Sequence, residues 1–290
     1  MRPDLTFTSG AALRSAEPAG PTRPTLLVAG TAFRFADGVE TAIERSVATE
    51  VPIQMMYADI PFGIMMATPA DLEDFAYGFS LTEGVIAAPA EIRGVSSEPE
   101  EGAVRLRIDI VGARLQAHLA RKRAMTGRTS CGLCGIDDLS ALPRASSPEG
   151  SAPLIALDAI GRALASLDGL QVLNAATRAV HGAAWAGLDG EILLVREDVG
   201  RHNALDKLVG ACLRAGLRPD GGFVVVTSRA SFEMVEKTAT FGARTLVAIS
   251  APTALAIARA RDLDVTLVGI ARRDGIAVFH GAERIATGGP

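Results

Sequence analysis

Aromatic residues are scarce in this chain. One tryptophan, two tyrosines and ten phenylalanines make up 4% of its 290 residues, which argues against the aromatic stacking platforms that grip single-stranded nucleic acid. Positive charge is not in excess either. Twenty-nine Lys and Arg against 33 Asp and Glu leave a net charge of −4, so no global attraction to nucleic acid or an acidic membrane is expected. No apolar run approaches the ~18 residues of a membrane span. The first 24 residues contain no unbroken apolar stretch and read as a polar tail rich in Pro, Gly and Ser, not as an export signal. Cysteine is rare, with three in all, and without an export signal these are expected in a reducing compartment. The expectation is a cytoplasmic protein whose partners are neither nucleic acid nor membrane.

What is present is the composition of a globular protein, 48% hydrophobic and 21% charged, long enough for one large or two ordinary domains. The pattern divides into a flexible tail over 1–24, a β-rich part with one helix over 25–120, a mobile loop and linker over 121–152, and an α/β domain over 153–290. In the β-rich part, 26–28, 51–57, 61–66 and the alternating 104–110 read as strands. A helix begins near Thr68-Pro69, with Thr68 as its cap and Asp71 reaching back. Leu72, Phe75, Ala76 and Phe79 make its buried stripe. Beyond the linker at 142–153, helices are expected over 154–167, 203–215, 232–241 and 253–261. Strands are expected at 192–195, 223–227, 245–249, 265–270 and 277–279. Such alternation indicates a largely parallel or mixed sheet covered by helices.

Two of the cysteines, Cys131 and Cys134, sit three apart with Gly132 and Gly135 beside them and Arg121, Lys122, Arg123 and Arg128 upstream. Cations favour the thiolate, the nucleophilic form. Three chemistries use such a pair: metal binding, redox exchange and carriage of a sulfur atom. A structural zinc site normally needs four protein ligands, and one further cysteine and four scattered histidines are all that remain. A redox motif of the thioredoxin type follows an early strand of its domain; this one lies between the two halves of the chain. A sulfur relay needs an exposed, low-pKa thiol in a loop free to move. Cys212, by contrast, falls on the apolar stripe of Leu205, Leu208 and Val209 and reads as core filling.

The block Arg196-Glu197-Asp198-Val199-Gly200-Arg201-His202-Asn203-Ala204-Leu205-Asp206-Lys207 follows a strand and opens a helix, where α/β sheets place ligand contacts. It reads either as a solvated turn or as a pocket wall, with Arg201 and Lys207 for phosphate and its Asp and Asn groups for a heterocycle edge. Thr227-Ser228-Arg229-Ala230-Ser231 and Ser250-Ala251-Pro252-Thr253 repeat the strand-to-helix geometry. Hydroxyls there either cap helices or hold anions. Gly269 to Gly275 joins two strands and carries Arg272 and Arg273. His181, on a strand, reads as a hydrogen-bonded structural residue.

These segments resemble the FdhD family of formate dehydrogenase accessory sulfurtransferases. The resemblance is carried by Gly127-Arg128-Thr129-Ser130-Cys131-Gly132-Leu133-Cys134-Gly135, by the block 196–207, by Ser228-Arg229-Ala230-Ser231-Phe232-Glu233-Met234-Val235, and by the helix from Thr68-Pro69 to Ile86. It implies a cytidine-deaminase-like α/β fold with a smaller β-rich N-terminal part, and a homodimer. It also implies a sulfurtransferase that takes sulfur from a cysteine desulfurase as a persulfide on Cys131, assisted by Cys134. That sulfur would go to the molybdenum cofactor, the bis(molybdopterin guanine dinucleotide) form, on behalf of the formate dehydrogenase catalytic subunit. The family's cofactor segment falls on Ile270, Ala271, Arg272, Arg273, Asp274 and Gly275, with an aromatic frequent where Ile270 stands and Gly or Pro where Arg273 stands. Arg229 and Arg201 are expected to join it, and no resident metal is expected. Two other classes compete. A zinc deaminase would show a His-x-Glu pair and a Pro before its first cysteine, which this chain lacks. A non-catalytic chaperone would bind the cofactor without moving sulfur.

Overall fold

A computed structural model of the chain describes residues 23–116, 145–272 and 274–288. Cys131, Cys134 and Arg273 lie outside the described residues, as do most of the expected tail and loop.

Strands β1 (Thr25–Phe33) and β2 (Glu40–Ala48) form an antiparallel ribbon. Strands β3 (Val51–Tyr57) and β4 (Ile60–Ala67), helix α1 (Leu72–Thr82), then β5 (Ile92–Glu100) and β6 (Ala103–Ile110) follow. The four strands make a sheet in the order β4-β3-β6-β5. Next come β7 (Ile155–Ala156), α2 (Leu157–Leu170), α3 (Val172–Thr177), β8 (His181–Gly187) and β9 (Ile192–Asp198). The chain continues through α4 (Arg201–Arg214), β10 (Gly222–Val226), α5 (Phe232–Phe241) and β11 (Thr245–Ala248). It finishes with α6 (Ala254–Asp262), β12 (Thr266–Arg272), β13 (Gly275–His280) and β14 (Ile285–Ala286). The main sheet runs β13-β12-β11-β10-β8-β9. Its β10, β11 and β12 are parallel, and β8, β9 and β13 enter antiparallel to their neighbours. The expected mixed sheet under helices, with a β-rich N-terminal part, is the fold observed.

Alternation along the strands divides the core in two. Ala183, Trp185, Val224, Val226, Leu246 and Leu267 face one side. There they meet α4, α5, α6, α1 and the inner face of the four-stranded sheet through Phe75, Leu205, Met234, Ala256, Ile53 and Leu106. Ala184, Ala186, Phe223, Val225 and Val247 face the other side, under Ile160, Ala163 and Leu167 of α2. Helices α1 and α4 are thus held between the two sheets.

Their crossing is backbone on backbone. A Cβ at Gly78 of α1 would lie 1.7 Å from the carbonyl oxygen of Asp206, and one at Gly210 of α4 would lie 1.8 Å from that of Asp74. Only residues without side chains fit that distance.

The start of α1 departs from expectation. The helix begins at Leu72, and Asp71 precedes it in a left-handed conformation (φ 53°) with no side-chain cap bond. Thr68 caps nothing. Its N–H donates to Asp198 Oδ2 (3.0 Å), and its hydroxyl accepts from the Val199 N–H (3.1 Å). A partner 130 residues away outcompetes the local cap. Helix α2 begins three residues later than expected because Ile155 and Ala156 pair with Ile285 and Ala286 as strands, leaving Leu154 exposed.

Candidate functional site

Topology gathers the polar segments at one edge of the main sheet. Because β8 is antiparallel to β9 and β10, His181 at its start stands opposite Asp198 at the end of β9, next to the end of β10. The carboxyl ends of β10, β11 and β12 lie on the same side because those strands are parallel. Backbone bonds stitch adjacent loops together. Thr227 N–H donates to Gly182 O (3.0 Å), Thr253 N–H to Ala230 O (3.0 Å) and Ile270 N–H to Ser250 O (3.1 Å). Segments 198–202, 227–231 and 250–253, read from sequence as helix caps or ligand contacts, therefore form one continuous rim with Ile270, Ala271 and Arg272, where open α/β sheets place their ligands.

The block 196–207 divides between rim and interior, and most of it points inward. Lys207 and Asp198 are fully buried, with Nζ 2.6 Å from Oδ2. Lys207 also donates to the Thr68 carbonyl at 2.9 Å. Asp198 accepts from the Gly200 N–H at 2.8 Å and from Asn203 Nδ2 at 3.1 Å. Asp206 accepts from Lys237 Nζ (2.9 Å) and from the Thr82 hydroxyl (2.7 Å). Arg196 donates to Asp74 of α1 at 2.7 Å. Glu197 accepts the Leu173 and Asn174 N–H groups, each at 2.8 Å, so its carboxylate holds the N-terminus of α3. Neither expectation for this block holds as a whole. It is not a solvated turn, and Lys207, Asn203 and the aspartates are spent inside the protein, where no phosphate or heterocycle reaches them. Lys207, Asp198 and Asn203 join the start of α4 to the β4–α1 connection, and Asp206 joins α4 to the end of α1 and to α5.

Arg201 and His202 are left at the rim. Arg201 is half-buried, and its Nε is shielded from solvent without a hydrogen bond in the protein. The hydroxyl of Ser231, at the N-cap of α5, is in the same state. Arg229 is exposed. His202 Nε2 lies 2.6 Å from Glu233 Oε2, and the imidazole beside it holds the Glu233 carboxyl below its ordinary range. His181, read from sequence as merely structural, titrates below the usual histidine value. Burial is the main cause, and the charges of Arg201, His202 and Arg229 add to it against the opposing pull of Asp198. An unbonded guanidinium nitrogen, a free hydroxyl at a helix N-terminus and a further exposed arginine suit a phosphate-bearing ligand.

At the far end of the rim, Ala271 is buried in the second core, so only its backbone faces the loop region. Arg272, Asp274 and Gly275 are exposed. Ile270 is 41% exposed and left-handed, with φ 51°, beside a bulge between Gly269 and Arg272. Sequence reasoning gave no warning of that conformation, because a branched residue is a poor predictor of positive φ. Cys212 is in the core as expected.

Among the described residues, no helix is long and apolar enough to cross a membrane. Residues 48–286 match the model of the FdhD/NarQ family. A curated relative from Bordetella petrii, named sulfur carrier protein FdhD, is 45% identical over 86% of this chain and 89% of its own. One of the same name from Xanthomonas campestris is 44% identical over 94% and 96%. Among solved structures, a protein from Desulfotalea psychrophila assigned as a formate dehydrogenase accessory protein superposes with a TM-score of 0.73 at 25% identity, covering 91% of this chain and all of that one. The chain belongs to the FdhD/NarQ family.

Proposed function

We propose that this chain is a sulfur carrier serving formate dehydrogenase, working through a persulfide on Cys131. The observation that carries the reading is its likeness, over most of its length, to proteins named sulfur carriers, together with a Cys-x-x-Cys pair preceded by cations. In the first step the Cys131 thiolate attacks the terminal sulfur of a cysteine desulfurase persulfide. A new S–S bond forms at Cys131, the donor's S–S bond breaks, and the desulfurase cysteine leaves as a thiolate. Cys134 assists or resolves the bound sulfur. The acceptor is the bis(molybdopterin guanine dinucleotide) molybdenum cofactor, bound as substrate. Its pyrophosphates suit Arg201, Arg229 and the Ser231 end of α5, with Ile270, Ala271, Arg272, Arg273, Asp274 and Gly275 as the further cofactor-binding residues. The working protein is a cytoplasmic homodimer.

Mass spectrometry of the full chain after incubation with a desulfurase and free cysteine tests the reading. Addition of one sulfur atom, lost in Cys131→Ala, is expected. No added sulfur on the unchanged chain would sink the carrier role and leave a cofactor-binding chaperone.

A further inference from the structure

The ribbon of β1 and β2 is at odds with its surroundings. Among the described residues it is a sheet of two strands only, and such a hairpin is at best marginally stable in water. Most of its residues are exposed, including Leu27 at 68% and Phe33 at 65%. Phe35, in the turn, is fully exposed. Strand β2 rests against α3 of its own chain. Strand β1 pairs with β2 on one side and, among the described residues, with nothing on the other.

That free edge has none of the features that discourage pairing. Thr-Leu-Leu-Val-Ala-Gly-Thr-Ala-Phe carries no charge and no proline over nine residues, whereas protected edges are short or carry Lys or Pro. At its centre Ala29, Gly30 and Ala32 leave the backbone uncovered. We propose that β1 pairs edge to edge with β1 of a second copy of this chain, antiparallel about Ala29. The result is a four-stranded sheet, β2-β1-β1-β2, across a two-fold axis.

Self-pairing fits the residues. Centred on Ala29, the arrangement sets Leu27 opposite Thr31, Leu26 opposite Ala32 and Val28 opposite Gly30, with no charge met by a like charge. Pairing through β2 about its own centre would set Glu44 against Glu44, which is unfavourable. A two-fold interface is self-complementary by construction, and a strand with no charge meets that condition most simply. The nine residues of β1 in each copy form the seam, a short interface beside the roughly 20 residues a side of a standard one. The pairing uses neither Cys131 nor any group of the rim, so it does not depend on the sulfur chemistry. It specifies the surface of the homodimer proposed above.

Sedimentation of full-length Ala29→Lys, Ala29→Glu and their equimolar mixture tests it. The unchanged chain should be dimeric at micromolar concentration. Each variant alone should self-associate roughly tenfold more weakly or worse, and the mixture should recover the dimer because Lys then faces Glu. Hydrogen exchange on the unchanged chain gives a reading free of any folding defect: β1 amides facing away from β2 should gain protection as concentration rises. A monomeric unchanged chain would overturn the proposal and point to residues 1–22 or another protein as the cover. Variants as dimeric as the unchanged chain, or β1 amides insensitive to concentration, would overturn it equally.

Discussion

Lys207 and Asp198 form a fully buried ion pair, 2.6 Å apart, that reaches through Thr68 to the strand ahead of α1. Removing one member leaves an uncompensated charge in the interior, at a cost of about 3–5 kcal/mol. Lys207→Ala is therefore expected to lower unfolding free energy by that order in urea titration. Lys207→Met with Asp198→Asn should recover much of the loss, since it removes both charges together. A Lys207→Ala variant as stable as the unchanged chain would show that water reaches the pair.

Gly78→Ala and Gly210→Ala would each drive a methyl group into a facing carbonyl. Overpacking of this kind costs about 1–3 kcal/mol and at times more. An exposed glycine such as Gly161, in α2 with open space around its Cα, should respond oppositely, because alanine favours a helix by about 1 kcal/mol. Thermal unfolding of the three variants separates the two effects.

His181 connects the rim to acid stability. An unfolded histidine titrates near ~6.5, whereas His181 in the fold titrates lower. As pH falls from ~6.5 towards the folded midpoint, the unfolded chain holds more protons, so stability declines over that window. His181→Gln should flatten the decline. An anion bound by Arg201 and Arg229 would offset the charges that hold the imidazole neutral, so guanosine diphosphate should raise the NMR midpoint of His181. An unmoved midpoint would place the nucleotide elsewhere.

Arg201→Ala is expected to weaken guanosine diphosphate binding roughly tenfold or more in calorimetry, the usual loss for a charge-assisted hydrogen bond. Arg162→Ala, whose guanidinium pairs with Asp158 on α2, serves as the control and should bind as before.

Burial pushes the Cys212 thiol up to about 12. In a full-length chain carrying Cys131→Ala and Cys134→Ala, no thiol should react with an alkylating reagent at pH 8 until denaturant is added. Prompt labelling would mean that α4 opens readily.

Periodicity made much of this fold legible. Helix α5 and strand β3 occupy the residues their patterns indicate, and the stripe Leu72, Phe75, Ala76, Phe79 packs inward as read. What stayed hidden depended on distant partners. Thr68 carries every local mark of a cap, yet Asp198 claims it. Helix α3, Val-Leu-Asn-Ala-Ala-Thr, is too short to show a period, and Glu197 holds its start from another strand. Strand β2 mixes charge and apolar residues without clean alternation and is set by its pairing with β1 and its contact with α3. The rim was legible as separate strand-to-helix steps. The division of block 196–207 into buried struts and free groups was not, since a list of polar residues does not say which of them meet one another inside.

Ile270 adopts a backbone shape that glycine would accept freely, at a cost of order 1–3 kcal/mol for any branched residue. The replacement Ile270→Gly should therefore make the protein harder to melt. If the same change also loosens its hold on a nucleotide, the molecule has kept an uncomfortable residue for the sake of its ligand, and thermal robustness and cargo affinity are opposed at that single position.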